Sequence, residues 1–187
     1  MPSYKKDTGD IIDVAAEVLK KHETHAPILA RKVRIDFLFA FGDRDETNGE
    51  LIGPAIKSQG IQALGLCRKV NLKDRTKGMG DAEITIDGDW WETASPEQQA
   101  ALLDHELHHI AVSEKNDDIG RPVIKLRKHD FQFGWFTLIA QRNGVHAQER
   151  IQAKGIMDAA GQFYWPEMHA HSQEGSRITK LETRARA

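Results

Sequence analysis

One stretch of the chain carries residue types that do chemistry at the spacing that chemistry needs. It is His105-Glu106-Leu107-His108-His109, which contains H-E-x-x-H. Residues four apart on a helix share one face with Cβ atoms roughly 5–6 Å apart, so His105 and His109 can converge on one zinc ion. Glu106, rotated by about 100° from His105, flanks that ion, where it can take a proton from a metal-activated water and pass it to a leaving group. With nine His and 13 Glu in 187 residues, chance would produce such a pattern about 0.03 times. His108 points off the ligand face.

A catalytic zinc usually has three protein ligands and one open position. Glu114, five residues after His109, falls about 140° round the helix and is badly placed. Asp117 and Asp118 sit in a polar stretch that could fold back. His129 is the best candidate: it follows His109 by 20 residues, beyond the break at Gly120 and Pro122, where the chain can reverse over the first helix. Asp130, beside it, could orient a ligand imidazole through the free ring N–H, or could favour a helix N-terminus. The alternative for all three histidines is ordinary packing without a metal.

The elements that must position these residues follow from periodicity. Ser95 as N-cap, Pro96 at the first helical position and Gln98 three residues after Ser95 open a helix expected to run to about Val112. Leu103, Leu107, Ile110 and Ala111 form its buried back. Ile11, Val14, Ala15, Val18 and Leu19 predict a helix from Asp10 to His22. Strands are expected over Val33 to Phe41, Ile61 to Val70 and Ala82 to Asp87, with solvated loops over Gly42 to Gly49 and Lys73 to Gly80. A further apolar helix is expected from about His129 to Arg142, with Phe131, Phe133, Trp135, Phe136, Leu138 and Ile139 as core, and a weaker one over Ala147 to Ala160. The strand around Ile84-Thr85-Ile86, which immediately precedes the active helix, is expected to border the cleft and pair with an extended substrate.

At 187 residues, 40% hydrophobic and 29% charged, the chain has room for one core. A single domain over 1–165 and a polar, extended or disordered tail over 166–187 are expected. With 26 Lys+Arg against 28 Asp+Glu the net charge is -2, which excludes a strongly basic nucleic-acid binder. Nucleic acid is therefore a partner only through short runs such as Arg31-Lys32, Lys73 to Lys77 and Lys125 to Lys128, which are usually solvated faces. No apolar run approaches the roughly 20 residues of a membrane span, and Met1 to Asp7 lacks a secretion signal, so a cytoplasmic protein is expected. A lone cysteine, Cys67, excludes an internal disulfide and a cysteine-rich zinc site.

The stretch from Trp90-Trp91-Glu92 through Ser95 to Ile110, then Lys128-His129-Asp130-Phe131 and Arg142-Asn143-Gly144, resembles the metallopeptidases encoded by phages and prophages. These are zincin-like proteins, more distantly similar to SprT-like metalloproteases, and the likeness covers roughly residues 30 to 145. It implies His105, His109 and His129 as zinc ligands, Glu106 as catalytic base and a protein or peptide as substrate. It also implies an α+β zincin-like fold: a small, mainly three-stranded sheet, an N-terminal helix, the H-E-x-x-H helix and a following apolar helix. Because the chain lacks the cysteine pairs of accessory zinc modules in some SprT-like proteins, their DNA-binding role does not transfer. His146 and Tyr164 are unplaced candidates for stabilising an oxyanion. The competing reading is a non-catalytic binding or regulatory protein that retains the zinc site.

Overall fold

The computed structural model describes residues 2–58, 60–130 and 135–158. In chain order they form β1 (Ser3–Lys6), α1 (Asp10–Lys21), a 3-10 turn (Glu23–His25), α2 (Ala26–Ala30), β2 (Ile35–Phe41), β3 (Ile56–Ser58), β4 (Ile61–Ala63) and β5 (Gly65–Lys69). There follow α3 (Leu72–Thr76), β6 (Ala82–Asp87), α4 (Gly88–Trp91), α5 (Pro96–His108), β7 (Ile110–Asn116), β8 (Pro122–Leu126), α6 (Thr137–Asn143) and a second 3-10 turn (Gly144–His146). A helical run over residues 148–158 closes the described chain. The tail at 166–187, Tyr164, Phe131 and Phe133 lie outside the described residues.

The main sheet has the order β1-β2-β6-β5, with β2 and β6 parallel and both outer pairs antiparallel. The apolar stripe of α1 (Ile11, Ala15, Val18) meets Phe37 and Phe39 of β2, Ile84 and Ile86 of β6 and Leu102, Leu103 and Leu107 of α5 in one buried cluster. Each large side chain removed from water there contributes roughly 1.5–3 kcal/mol. The result is an α+β fold in which sheet and α1 form the bed of α5.

Several boundaries differ from expectation, each for a physical reason. β1 adds a fourth strand that was not expected, because Ser3 to Lys6 is polar and fully exposed and so carries no alternation. The strand read over Ile61 to Val70 divides at Leu64: β4 pairs with β3, and β5 with β6. Part of the expected loop after Asn71 is the short helix α3, whose N-cap Asn71 accepts from the backbone N–H of Asp74 at 3.0 Å. The helix expected to reach Val112 stops at His108, and Ile110, Ala111 and Val112 instead pair with Leu126, Lys125 and Ile124. The apolar helix expected from His129 shrinks to α6, which leaves His129 and Asp130 in the connection that follows β8.

The substrate-pairing role expected of Ile84-Thr85-Ile86 is overturned. β6 lies between β2 and β5, and all six of its residues are buried. Its polar positions are covered by partners instead of water: Glu83 accepts from Arg68 at 2.5 and 2.7 Å, and Asp87 accepts from the backbone N–H of Trp90 at 3.1 Å. Alternation therefore imitated a half-exposed strand. The sheet edge on this side belongs to β5.

Candidate metal centre

α5 is built to be rigid where it carries the motif. Ser95 Oγ accepts from the Gln98 backbone N–H at 3.3 Å while Gln98 Oε1 accepts from Ser95 N–H at 3.0 Å, a closed capping box. Leu103 and Leu107 are fully buried, which fixes the helix rotation so that His105 and His109 share the opposite, half-buried face. His129 joins them from beyond β8. One ligand atom from each of His105, His109 and His129 lies within 4.8 Å of the others, and the Nε2 atoms of His105 and His129 are 3.1 Å apart. The sequence-expected triad is thus brought together in space.

The outward nitrogens are anchored. His105 Nδ1 lies 2.7 Å from Glu149 Oε1, and His109 Nδ1 lies 2.9 Å from the Arg127 carbonyl oxygen. Both acceptors hold the proton on Nδ1, which leaves Nε2 as a lone-pair donor pointing into the cluster. Burial, helped by the neighbouring imidazoles, depresses His109 to about 4, and burial also lowers His129. These two rings favour the neutral form that ligation requires. At His105 burial lowers the pKa, but the hydrogen bond to Glu149 and the nearby carboxylates outweigh it and raise the ring above its ordinary value.

Glu106 lies on the sheet side of the motif, 4% exposed, against β5. Burial pushes its carboxyl up to about 7, opposed by the charge of His105 and the backbone of Cys67. Its fit depends on Gly65: a Cβ there would stand 2.5 Å from Glu106 Oε1 and 2.8 Å from Cδ. Glu106 Oε2 is buried and without a hydrogen-bond partner among the described residues. The same proximity and burial raise Cys67, so this thiol stays protonated.

Other candidates take different places. Asp130 accepts from the Thr137 backbone N–H at 2.7 Å, at the start of α6, so its hydrogen bond supports a helix N-terminus and not a ligand imidazole. The imidazole-orienting carboxylate is Glu149, 1% exposed in the helical run over 148–158. No spacing rule connects residues 44 apart, and the sequence reading missed it. His108 leaves the ligand face to pack on Phe136 at a centroid distance of 4.7 Å. Asp117 pairs with Arg75 at 2.7 Å, and Glu114 stands exposed on β7. Two basic residues from the candidate nucleic-acid patches are engaged internally: Arg75 with Asp81 and Asp117, and Arg127 with the His108 carbonyl. His146 sits in the second 3-10 turn.

The model of the family described as "Putative phage metallopeptidase" matches residues 3–160. The chain belongs to this family. The match spans the sheet, α5, the β7–β8 hairpin and the helical run that carries Glu149, so it includes every residue of the cluster. Membership implies a metal ion, and the clustered donors of His105, His109 and His129 could hold one. No curated protein and no solved structure gives a significant match. Among the described residues, no helix is long and apolar enough to cross a membrane.

Proposed function

We propose that this phage metallopeptidase family member is a zinc-dependent peptidase that hydrolyses peptide bonds of a protein substrate, with Glu106 as general base. The observation that carries the reading is the convergence of three imidazole nitrogens within 4.8 Å, two of them from a helix that also carries, next to His105, a buried Glu106 carboxylate oxygen with no hydrogen-bond partner among the described residues. Three nitrogen donors suit zinc with a fourth position left open. Two of the donors are held in register by Glu149 and the Arg127 carbonyl, so the cluster is preorganised for a cation.

His105, His109 and His129 would hold the zinc. When bound, it supplies Lewis acidity, lowering the pKa of a coordinated water and polarising a carbonyl. Glu106 takes a proton from the attacking water and delivers it to the nitrogen of the departing amine. A carboxyl tuned towards neutrality by burial suits both transfers. The absence of a side chain at Gly65 leaves the room in which the Glu106 carboxyl sits against β5. Residues 1–165, most of which the family match over 3–160 covers, are taken as one catalytic unit, and the cytoplasm of a bacterial host is its expected place of work.

The test compares wild type and Glu106→Gln for zinc content and for cleavage of a peptide library. One zinc per chain in both proteins, with cleavage reduced on the order of 10²–10⁴-fold in the variant, is expected. Undiminished cleavage by Glu106→Gln overturns the mechanism. A fully zinc-loaded wild type that cleaves nothing replaces it with the non-catalytic binding protein.

A further inference from the structure

The three imidazoles share a fourth neighbour. Phe136 is 1% exposed, and its ring centroid lies 5.0 Å from His105, 4.9 Å from His109 and 4.9 Å from His129. The imidazole centroids are themselves 5.2, 5.1 and 4.6 Å apart. Six near-equal separations among four rings put Phe136 on the axis of the imidazole triangle, equidistant from its corners. His129 is exposed and the other two rings are half-buried, whereas Phe136 is buried. The triangle thus has a solvent side and an inner side, and Phe136 closes the inner one.

We propose that Phe136 is a positioning residue of the metal centre. Its ring is the floor that holds the three imidazoles at ligating angles and confines exchangeable ligands to the solvent side. This rests on the reading that the three histidines hold a metal. The need is greatest at His129. His105 and His109 are each anchored at Nδ1, while the ring contacts of His129 among the described residues are with the other two imidazoles and with Phe136. Edge and tilted aromatic contacts restrict ring rotation without competing for a nitrogen lone pair. Asp130 gains an indirect role here. Its N–H donates to the Trp135 carbonyl at 2.8 Å and its Oδ2 accepts from Thr137 N–H at 2.7 Å, so it clamps the two residues that flank Phe136.

Zinc affinity of the purified protein, measured by competition with a chelator, and the absorption spectrum of its cobalt-substituted form separate a positioning role from simple core packing. Phe136→Ala is expected to weaken zinc binding on the order of tenfold or more and to alter the cobalt spectrum, with Phe136→Leu intermediate. Ile139→Ala, at a fully buried position of α6, the helix that follows Phe136, is the packing control. It should lower the melting temperature of the metal-free protein yet keep zinc affinity within a few-fold. Wild-type affinity and spectrum in Phe136→Ala, or an equal loss of affinity in Ile139→Ala, overturns the proposal. Should Phe136→Ala fail to fold, Phe136→Leu decides on the same two readouts. A wild type that binds no zinc instead overturns the metal reading beneath it.

Discussion

Asp104 and His105 are neighbours on α5, yet the buried polar clusters built on them differ in what they leave open. Asp104 is fully buried, and both its oxygens are taken: Oδ1 lies 2.7 Å from His25 Nε2 and accepts from Arg142 at 2.8 Å, while Oδ2 accepts from Asn143 at 2.9 Å. It is a saturated acceptor that ties the first 3-10 turn, α5 and α6 together. One residue on, the His105 cluster brings one nitrogen from each of three imidazoles within 4.8 Å of the others, and at His105 and His109 the other ring nitrogen is already occupied by an acceptor. Neutral imidazoles gathered in this way offer their remaining lone pairs to a cation. The first network is closed on itself, whereas the second has donors that could hold a metal ion.

Breaking the closed side should have the largest effect. Asp104→Ala strands Arg142 and His25 and is expected to destabilise the metal-free protein by about 3–5 kcal/mol in denaturant unfolding, whereas His109→Ala should cost less there. Equal losses would erase the distinction between the two clusters. Next comes the cation itself. Zinc at a hundredfold excess over its dissociation constant should stabilise wild type by about 2.7 kcal/mol and leave His109→Ala unmoved, read as a thermal shift that EDTA reverses. A shift retained in the variant would place the ion elsewhere.

Glu149→Gln keeps the shape of the His105 anchor and removes its charge. Zinc affinity should fall on the order of tenfold, with Glu149→Ala worse still; an unchanged affinity would reduce that contact to packing. Gly65→Ala probes the other flank, because the new methyl must displace the Glu106 carboxylate. Cleavage is expected to drop about tenfold or more while zinc affinity holds, and loss of both together would argue against separate roles. The mildest effect is confined to acid. Burial would raise Asp104, but its hydrogen bonds to His25 and Asn143 and the charge of Arg142 hold it below the ordinary carboxylate range. Its contribution is therefore complete above about pH 3.9, where the unfolded carboxylate is ionised, and is lost as pH falls through the lower folded value. A stability gap between wild type and Asp104→Asn that failed to narrow in that window would contradict this.

What could be read from the sequence was what local periodicity determines. The capped start of α5, the shared face of His105 and His109 and the stripe of α1 each depend on residues within two turns of one another. His129 was reachable because Gly120 and Pro122 marked a reversal between two apolar stretches. The end of α5 was not, since Ile110-Ala111-Val112 satisfies helical and alternating spacing equally, and only β8 decides between them. Burial of β6 was hidden because Glu83 is covered by Arg68 of the neighbouring strand, 15 residues away, and Asp87 by the backbone of α4, which follows it. Glu149 and Phe136 show nothing locally: one was a helical glutamate and the other an aromatic among several, until the fold set both against the imidazoles.

The hairpin after α5 has a geometric consequence. His109 and Arg127 are tied twice, Arg127 N–H to the His109 carbonyl at 2.7 Å and His109 Nδ1 to the Arg127 carbonyl at 2.9 Å, and the ladder begins beside them at Ile110 and Leu126. The ladder is a gauge: it sets how far His129 stands from His109. Its irregularity lies between Val112 and Asn116, towards the tip, where the two strands already differ in length. Residues gained or lost around Asp118 to Gly120 would lengthen or shorten the finger and leave the gauge intact. A single residue added between Arg127 and His129 would carry the third imidazole past the other two.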